Sequence, residues 1–214
     1  MVGTASSRER NRVVHPFFVR VTHWINAFAA IAMLMSGMKI YNAAPLYEFR
    51  FPPEVTLGGW LAGALAWHFA VMWLLVLNGS AYILYGVFTG HFLRRIFTIG
   101  AMPAYRNIRL EMRHLLIHGT GEYNLIQRLA YLVVFFDIIL LVSSGLTIWK
   151  PVQFQGLAAW MGGYEGARHI HFYGMTVLAA FLVIHVSVAF AVNGAIPSML
   201  TGRLPESRTG KADA

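Results

Sequence analysis

The chain has 214 residues, 57% of them hydrophobic and only 12% charged, and its mean hydropathy of +0.55 excludes an ordinary soluble domain. Seventeen Lys and Arg against nine Asp and Glu give a net charge of +8, and there is no cysteine. That absence excludes disulfides, thiolate-held clusters and C-x-x-C-H attachment of a c-type haem.

A bilayer core about 30 Å thick takes about 20 apolar residues per helical span. Four stretches qualify, at 18–38, 58–87, 126–149 and 167–192, and they use up most of the chain. Residues 1–17 are polar and basic, and the apolar run behind them has no small-residue cleavage site, so it reads as a retained first span carrying Arg20 and His23. A connection with Pro-Pro and Gly-Gly breakers leads to Trp60 and a second span containing His68. The loop at 88–125 is rich in arginine. Within it, residues 104–118 fit a basic amphipathic helix whose His114 and His118 have no third ligand and read as surface imidazoles. The third span holds Asp137, the one acidic residue inside a predicted span. A second connection with an apolar middle, FQGLAAWMG, precedes the fourth span, which carries Arg168, His169, His171 and His185; residues 196–214 read as a disordered tail.

Basic residues crowd both ends and the 88–125 loop, whereas the other two connections carry few. The positive-inside bias therefore places both termini and that loop in the cytoplasm. The same topology signal accounts for the arginines without nucleic-acid binding. The expected fold is all-α, an integral membrane four-helix bundle over residues 18–195.

Four histidines lie within the spans, where polar groups are costly and face a partner in the bundle interior. His171 and His185 are 14 residues apart, about 21 Å along the axis and about 40° apart around it. They share one face at two depths. The first span enters from the cytoplasm, which puts His23 level with His185; the second enters from outside, which puts His68 level with His171. A histidine bonded to a neighbouring carbonyl is the ordinary alternative for any one of them. Two opposed imidazoles with no carboxylate or thiolate beside them suit the two axial positions of a haem. With both positions filled, no site stays open at iron, and electron transfer is the natural task. His169 lies about 160° from His171 around the helix and cannot share its face. Arg20 and Arg168 stand one turn and three residues before His23 and His171, suited either to haem propionates or to the interface.

RVTHWIN, a histidine on the second span, none on the third, and HFYGMTVLAAFLVIH on the fourth resemble the bacterial cytochrome b561 superfamily. Its members include the cytochrome b subunits of formate dehydrogenases and nickel-iron hydrogenases. The resemblance covers about residues 13–195. It implies two non-covalent, bis-histidine b haems, with His23 joined to His185 and His68 to His171. GEYNLIQRLAYL is similar to the segment before the third span of formate dehydrogenase gamma subunits, where it lines a quinone pocket. That implies a quinone contact at Asn124, with Gln127 and Tyr123 beside it; an ordinary helix-start asparagine is the competing reading, and Ile126 replaces a frequent family glycine. The external connections and IWKPVQFQ look most like subunits serving periplasmic molybdopterin oxidoreductases of the sulfite-oxidase type.

The expectation is thus a multi-pass cytochrome of the bacterial inner membrane, in contact with lipid, carrying electrons between a periplasmic redox partner and the quinone pool. Flow runs from the partner through the His68/His171 haem and the His23/His185 haem to quinone, and the reverse uses the same parts. A self-sufficient superoxide oxidase of the same fold is one alternative. A histidine-lined proton or metal transporter is another, and it predicts a colourless protein.

Overall fold

The computed structural model describes residues 15–89, 125–192 and 194–203. Every long element among them is helical: α1 (Phe17–Ala43), a single 3-10 turn (Pro53–Val55), α2 (Leu61–Phe88), α3 (Leu125–Trp149), the short α4 (Gln155–Trp160), α5 (Gly163–Ala191) and the short α6 (Ala195–Thr201). Four of these are long and apolar enough to cross a membrane. The protein is an all-α, multi-pass membrane protein. Large apolar side chains such as Leu77, Phe88, Val183 and Phe190 point outward, as lipid-facing surfaces require.

Local chemistry sets the helix ends. α1 follows Pro16, whose carbonyl accepts the Arg20 amide at 3.2 Å. It stops at Ala44 (φ −143°, ψ 75°) because the ring of Pro45 drives the preceding residue out of the helical region. The turn into α2 needs glycine. Gly58 has φ +107°, and a Cβ there would lie 2.4 Å from the Ala64 amide nitrogen.

α1 and α2 pack as one antiparallel hairpin, and α3 and α5 as a second. The contacts fix the register: Phe18 stacks near Tyr85 with centroids 4.5 Å apart, while His68 reaches Gly37 at the other end. Small residues line both seams, with Ala29, Ala32 and Ala64 in the first and Ser144, Thr147, Ala167 and Gly174 in the second. Such residues let helix backbones approach where lipid supplies no hydrophobic drive between helices. The two hairpins approach one another less closely, and it is mainly side chains that meet between them.

The span bounds differ from the sequence reading most at three places, the first being α2, which begins at Leu61 rather than 58, after the Gly58-Gly59 turn. α1 runs five residues beyond 38, because MKIYNA keeps its helical bonds until Pro45. α5 begins at Gly163 rather than 167, after a turn closed by the Gly162 amide on the Ala159 carbonyl at 3.4 Å. The tail differs too: of residues 196–214, read as a disordered tail, 196–201 belong to helix α6. Arg20 donates to the Leu200 carbonyl, and Trp24 Nε1 donates to the Met199 carbonyl at 3.3 Å. Gly202, at φ +80°, ends the helix. These ties hold α6 across the end of the bundle at which α1 starts. Residues 90–124 of the loop, with His114 and His118, and the tail beyond 203 lie outside the described residues.

Candidate functional site

Antiparallel α1, α2 and α5 bring the four span histidines together in twos. The rings of His23 on α1 and His185 on α5 have centroids 6.1 Å apart, inclined at 57°. Those of His68 on α2 and His171 on α5 are 6.4 Å apart, inclined at 65°. These are the partners that depth along the helices picked out. The His23/His185 pair sits toward the end where α1 starts, and the His68/His171 pair toward the opposite end. α3 contributes no imidazole to either.

The spacing is chemically informative. Two imidazoles coordinating one metal from opposite sides, with bonds of about 2.0 Å each, have ring centroids about 6.3 Å apart. Both pairs lie within a few tenths of an ångström of that figure. Among the described residues no group of three His, Asp or Glu side chains converges. Each donor set is thus a pair, as suits a planar macrocycle that supplies the other four nitrogens itself. The residues present fit axial ligation of a haem at both levels.

Around the His68/His171 pair the surroundings repeat. Ser36 Oγ lies 3.0 Å from His68 Nδ1, and Ser144 Oγ lies 3.0 Å from His171 Nδ1. Each serine is followed by a glycine that faces the same imidazole. A Cβ on Gly37 would stand 3.6 Å from His68 Cε1, and one on Gly145 would stand 3.3 Å from His171 Cε1. Sequence reasoning singled out neither serine. The available signal was the Ser-Gly pair itself, present at like height in α1 and α3.

Beside the His23/His185 pair, Asn78 on α2 donates to the Thr22 carbonyl at 2.8 Å and to Asn26 Oδ1 at 2.7 Å. Trp24 meets His23 edge-on at 5.4 Å, and Phe181 stacks on His185 at 5.4 Å. Aromatic walls and a satisfied polar clasp keep this end of the hairpin in register.

The remaining candidates lie as follows. The Arg20 guanidinium binds the Leu200 carbonyl, and its Nε is buried without a hydrogen-bond partner among the described residues. Arg168 pairs with Glu165 at 2.9 Å and donates to the Ala44 carbonyl, joining α5 to the end of α1. His169 turns away from His171 toward Tyr47, whose hydroxyl lies 3.5 Å from its Nδ1. Tyr47 and Tyr173 share a 2.6 Å hydrogen bond, which holds the Tyr47 phenol above its ordinary ionisation range. Asp137 is 7% exposed, with Oδ2 unpartnered among the described residues and Oδ1 against Gly174. Tyr123 and Asn124 lie outside the described residues. Gln127 falls in the first turn of α3, and its side chain is likewise outside them.

A family model described as prokaryotic cytochrome b561 matches residues 14–202. A protein of Azospira oryzae, provisionally named protein-methionine-sulfoxide reductase subunit YedZ1, is 43% identical over 190 residues, 88% of this chain and 96% of that one. The cytochrome b556(fdo) subunit of formate dehydrogenase from Escherichia coli K12 is 22% identical over 183 residues, 86% of this chain and 81% of that one. No solved structure gives a significant match.

Proposed function

The chain belongs to the prokaryotic cytochrome b561 family of membrane electron-transfer subunits that bind b-type haem, and from that premise we propose that it holds two haems and links the quinone pool to an oxidoreductase outside the inner membrane. His68 with His171 and His23 with His185 are the axial pairs. The observation that carries this reading is the pair of ring separations, 6.4 and 6.1 Å, at two heights about 21 Å apart along α5. When bound, haem b supplies a reversible one-electron iron couple at each height. With both imidazoles of a pair holding the iron, no position would be left open to substrate, which favours electron transfer over bond-making chemistry.

The protein's own part is to hold, orient and insulate. α5 donates one imidazole to each pair, so both sites are fixed to a single rigid rod. The apolar span walls keep water from the centres. Asn124, with Gln127 and Tyr123, is the quinone contact that the sequence resemblance implies, just before and within the first turn of α3. At the end opposite the start of α1, α4 and the two connections present exposed Trp60, Val152 and Trp160, an apolar rim suited to a docked protein.

We infer outward flow, from quinol to an external reductase. The relative at 43% identity bears the name of a methionine-sulfoxide reductase subunit, and reducing a sulfoxide to a thioether and water consumes two electrons and two protons. A molybdopterin enzyme is the partner class the sequence resemblance favours.

The test is the optical spectrum of the purified chain with haem counted per polypeptide. Two haems are expected. His23→Ala and His185→Ala should each lose one, and His68→Ala and His171→Ala should each lose the other. A correctly folded protein that stays colourless after growth with ample iron overturns the proposal. Rapid reduction of the isolated chain by superoxide, with no partner subunit, would favour the self-sufficient oxidase instead.

A further inference from the structure

The buried hydroxyls of Ser36 and Ser144 are 0% exposed, and each is already committed as a donor to its own helix. Ser36 Oγ bonds the Ala32 carbonyl at 2.7 Å and the Met33 carbonyl at 3.1 Å. Ser144 Oγ bonds the Leu140 carbonyl at 2.7 Å and the Leu141 carbonyl at 3.2 Å. Carbonyl oxygens only accept, so the single hydroxyl proton of each serine is spent within the helix. Toward the histidine the oxygen has only lone pairs to offer. With the hydroxyl proton placed on the helix carbonyls, His68 Nδ1 and His171 Nδ1, each 3.0 Å away, take the donor role. On this assignment Nδ1 carries the proton, and Nε2 is the nitrogen left free to bind a metal.

The device occurs twice, on different helices, and faces both members of one pair. Neither imidazole of the His23/His185 pair is hydrogen-bonded to another described residue. Among the described residues the two levels thus differ in what stands behind the ligand nitrogens. A hydrogen bond donated from the distal ring nitrogen raises the basicity of the ligating one, and a more electron-rich axial ligand favours the oxidised metal.

We propose that Ser36 and Ser144 are positioning residues that fix His68 and His171 as Nδ1-protonated ligands and hold the reduction potential of that centre down. The proposal rests on the reading of His68 and His171 as a haem-binding pair. Through the histidines the two serines act on how strongly the site holds an electron, whereas no described serine stands in the same place behind His23 or His185. The second serine matters because one hydrogen bond alone would steady one ring; two act on both faces of the same metal.

The test is a redox titration of the purified, haem-loaded chain, followed optically, with low-temperature EPR of the oxidised form. Wild type is compared with Ser36→Ala, Ser144→Ala, the Thr variants that keep a hydroxyl, and the Cys variants that keep the shape with a weaker acceptor. Ser36→Ala and Ser144→Ala should each move one couple to more positive potential. A hydrogen bond of ordinary net strength corresponds to about a three- to tenfold change in the equilibrium, tenfold being about 59 mV for one electron. The same couple must move in both variants, and it must be the couple missing from His68→Ala. The Cys variants should fall between alanine and wild type, and the Thr variants should restore the wild-type potential and EPR signature. If an alanine variant fails to retain haem, the cysteine variant decides by its shift. Unchanged potentials in variants that still hold two haems overturn the proposal, as does a shift in the couple that survives His68→Ala. A wild-type chain with one haem, or a His68→Ala variant that keeps both, would instead remove the ligand assignment beneath it.

Discussion

Gly37 and Gly145 occupy matching places behind the two histidines of one level, yet alanine should not act alike at them. At Gly37 the new methyl group would meet His68 Cε1 at 3.6 Å, an ordinary van der Waals contact. At Gly145 it would meet His171 Cε1 at 3.3 Å and Nδ1 at 3.7 Å. Taking the Gly37 distance as the comfortable one, His171 has to retreat by 3.6 − 3.3 = 0.3 Å. It has little freedom to do so, because Nδ1 is held at 3.0 Å by Ser144, itself bonded to its own helix. Overpacking of this kind costs about 1–3 kcal/mol, or about five- to 150-fold in an equilibrium. Haem should therefore bind the His68/His171 level at least several-fold more weakly in Gly145→Ala. Gly37→Ala should stay near wild type, helped by the better helix propensity of alanine. The assay is titration of the apo-chain in detergent with haem, read by Soret absorbance in a His23→Ala background that isolates this level. Equal affinities for the two variants, or a larger loss at Gly37, would refute the reasoning.

Asn78→Ala removes two hydrogen bonds from the α1–α2 seam and leaves Asn26 and the Thr22 carbonyl short of a partner. A loss of about 1–3 kcal/mol should appear as a lower midpoint in thermal unfolding in detergent. Arg20→Ala takes away the bond to the Leu200 carbonyl, and limited proteolysis should then cut within 195–203 faster than in wild type, with the span helices intact. Tyr173→Phe removes the hydrogen bond that raises the Tyr47 phenol, so Tyr47 should ionise at lower pH in a difference absorbance titration against the double Tyr47→Phe, Tyr173→Phe variant. The sign follows from linkage: a phenol with a raised folded-state value stabilises the fold below its unfolded value and loses that contribution as pH rises through the folded one.

The long-range arrangement was legible because lipid imposes strict rules. Length and apolarity marked the spans, and the 3.6-residue period with alternating entry direction assigned each histidine a height, so His23, His68, His171 and His185 could be matched before any contact was known. Two features escaped for physical reasons. A serine in a membrane helix usually bonds its own backbone, so Ser36 and Ser144 look unremarkable until a residue 32 or 27 positions away closes on the remaining lone pair. Helix α6 was missed because its seven residues are too few to form alone; Arg20 and Trp24, far away in the chain, hold it. The arginines illustrate the same limit. Their charge and height could be read, but the carbonyls of Leu200 and Ala44 that receive them could not.

The grouping of helices into two seams has a consequence for biogenesis. Each histidine couple takes one ring from α1 or α2 and the other from α5. On the proposed ligand assignment, a growing polypeptide can therefore zip its first two spans together in the membrane while owning only half of each coordination site. A group held between these couples would then be captured only once α5 emerges from the ribosome and inserts. Synthesis and loading are in this way ordered by the connectivity itself, and a chain cut short before α5 would be released empty at both levels.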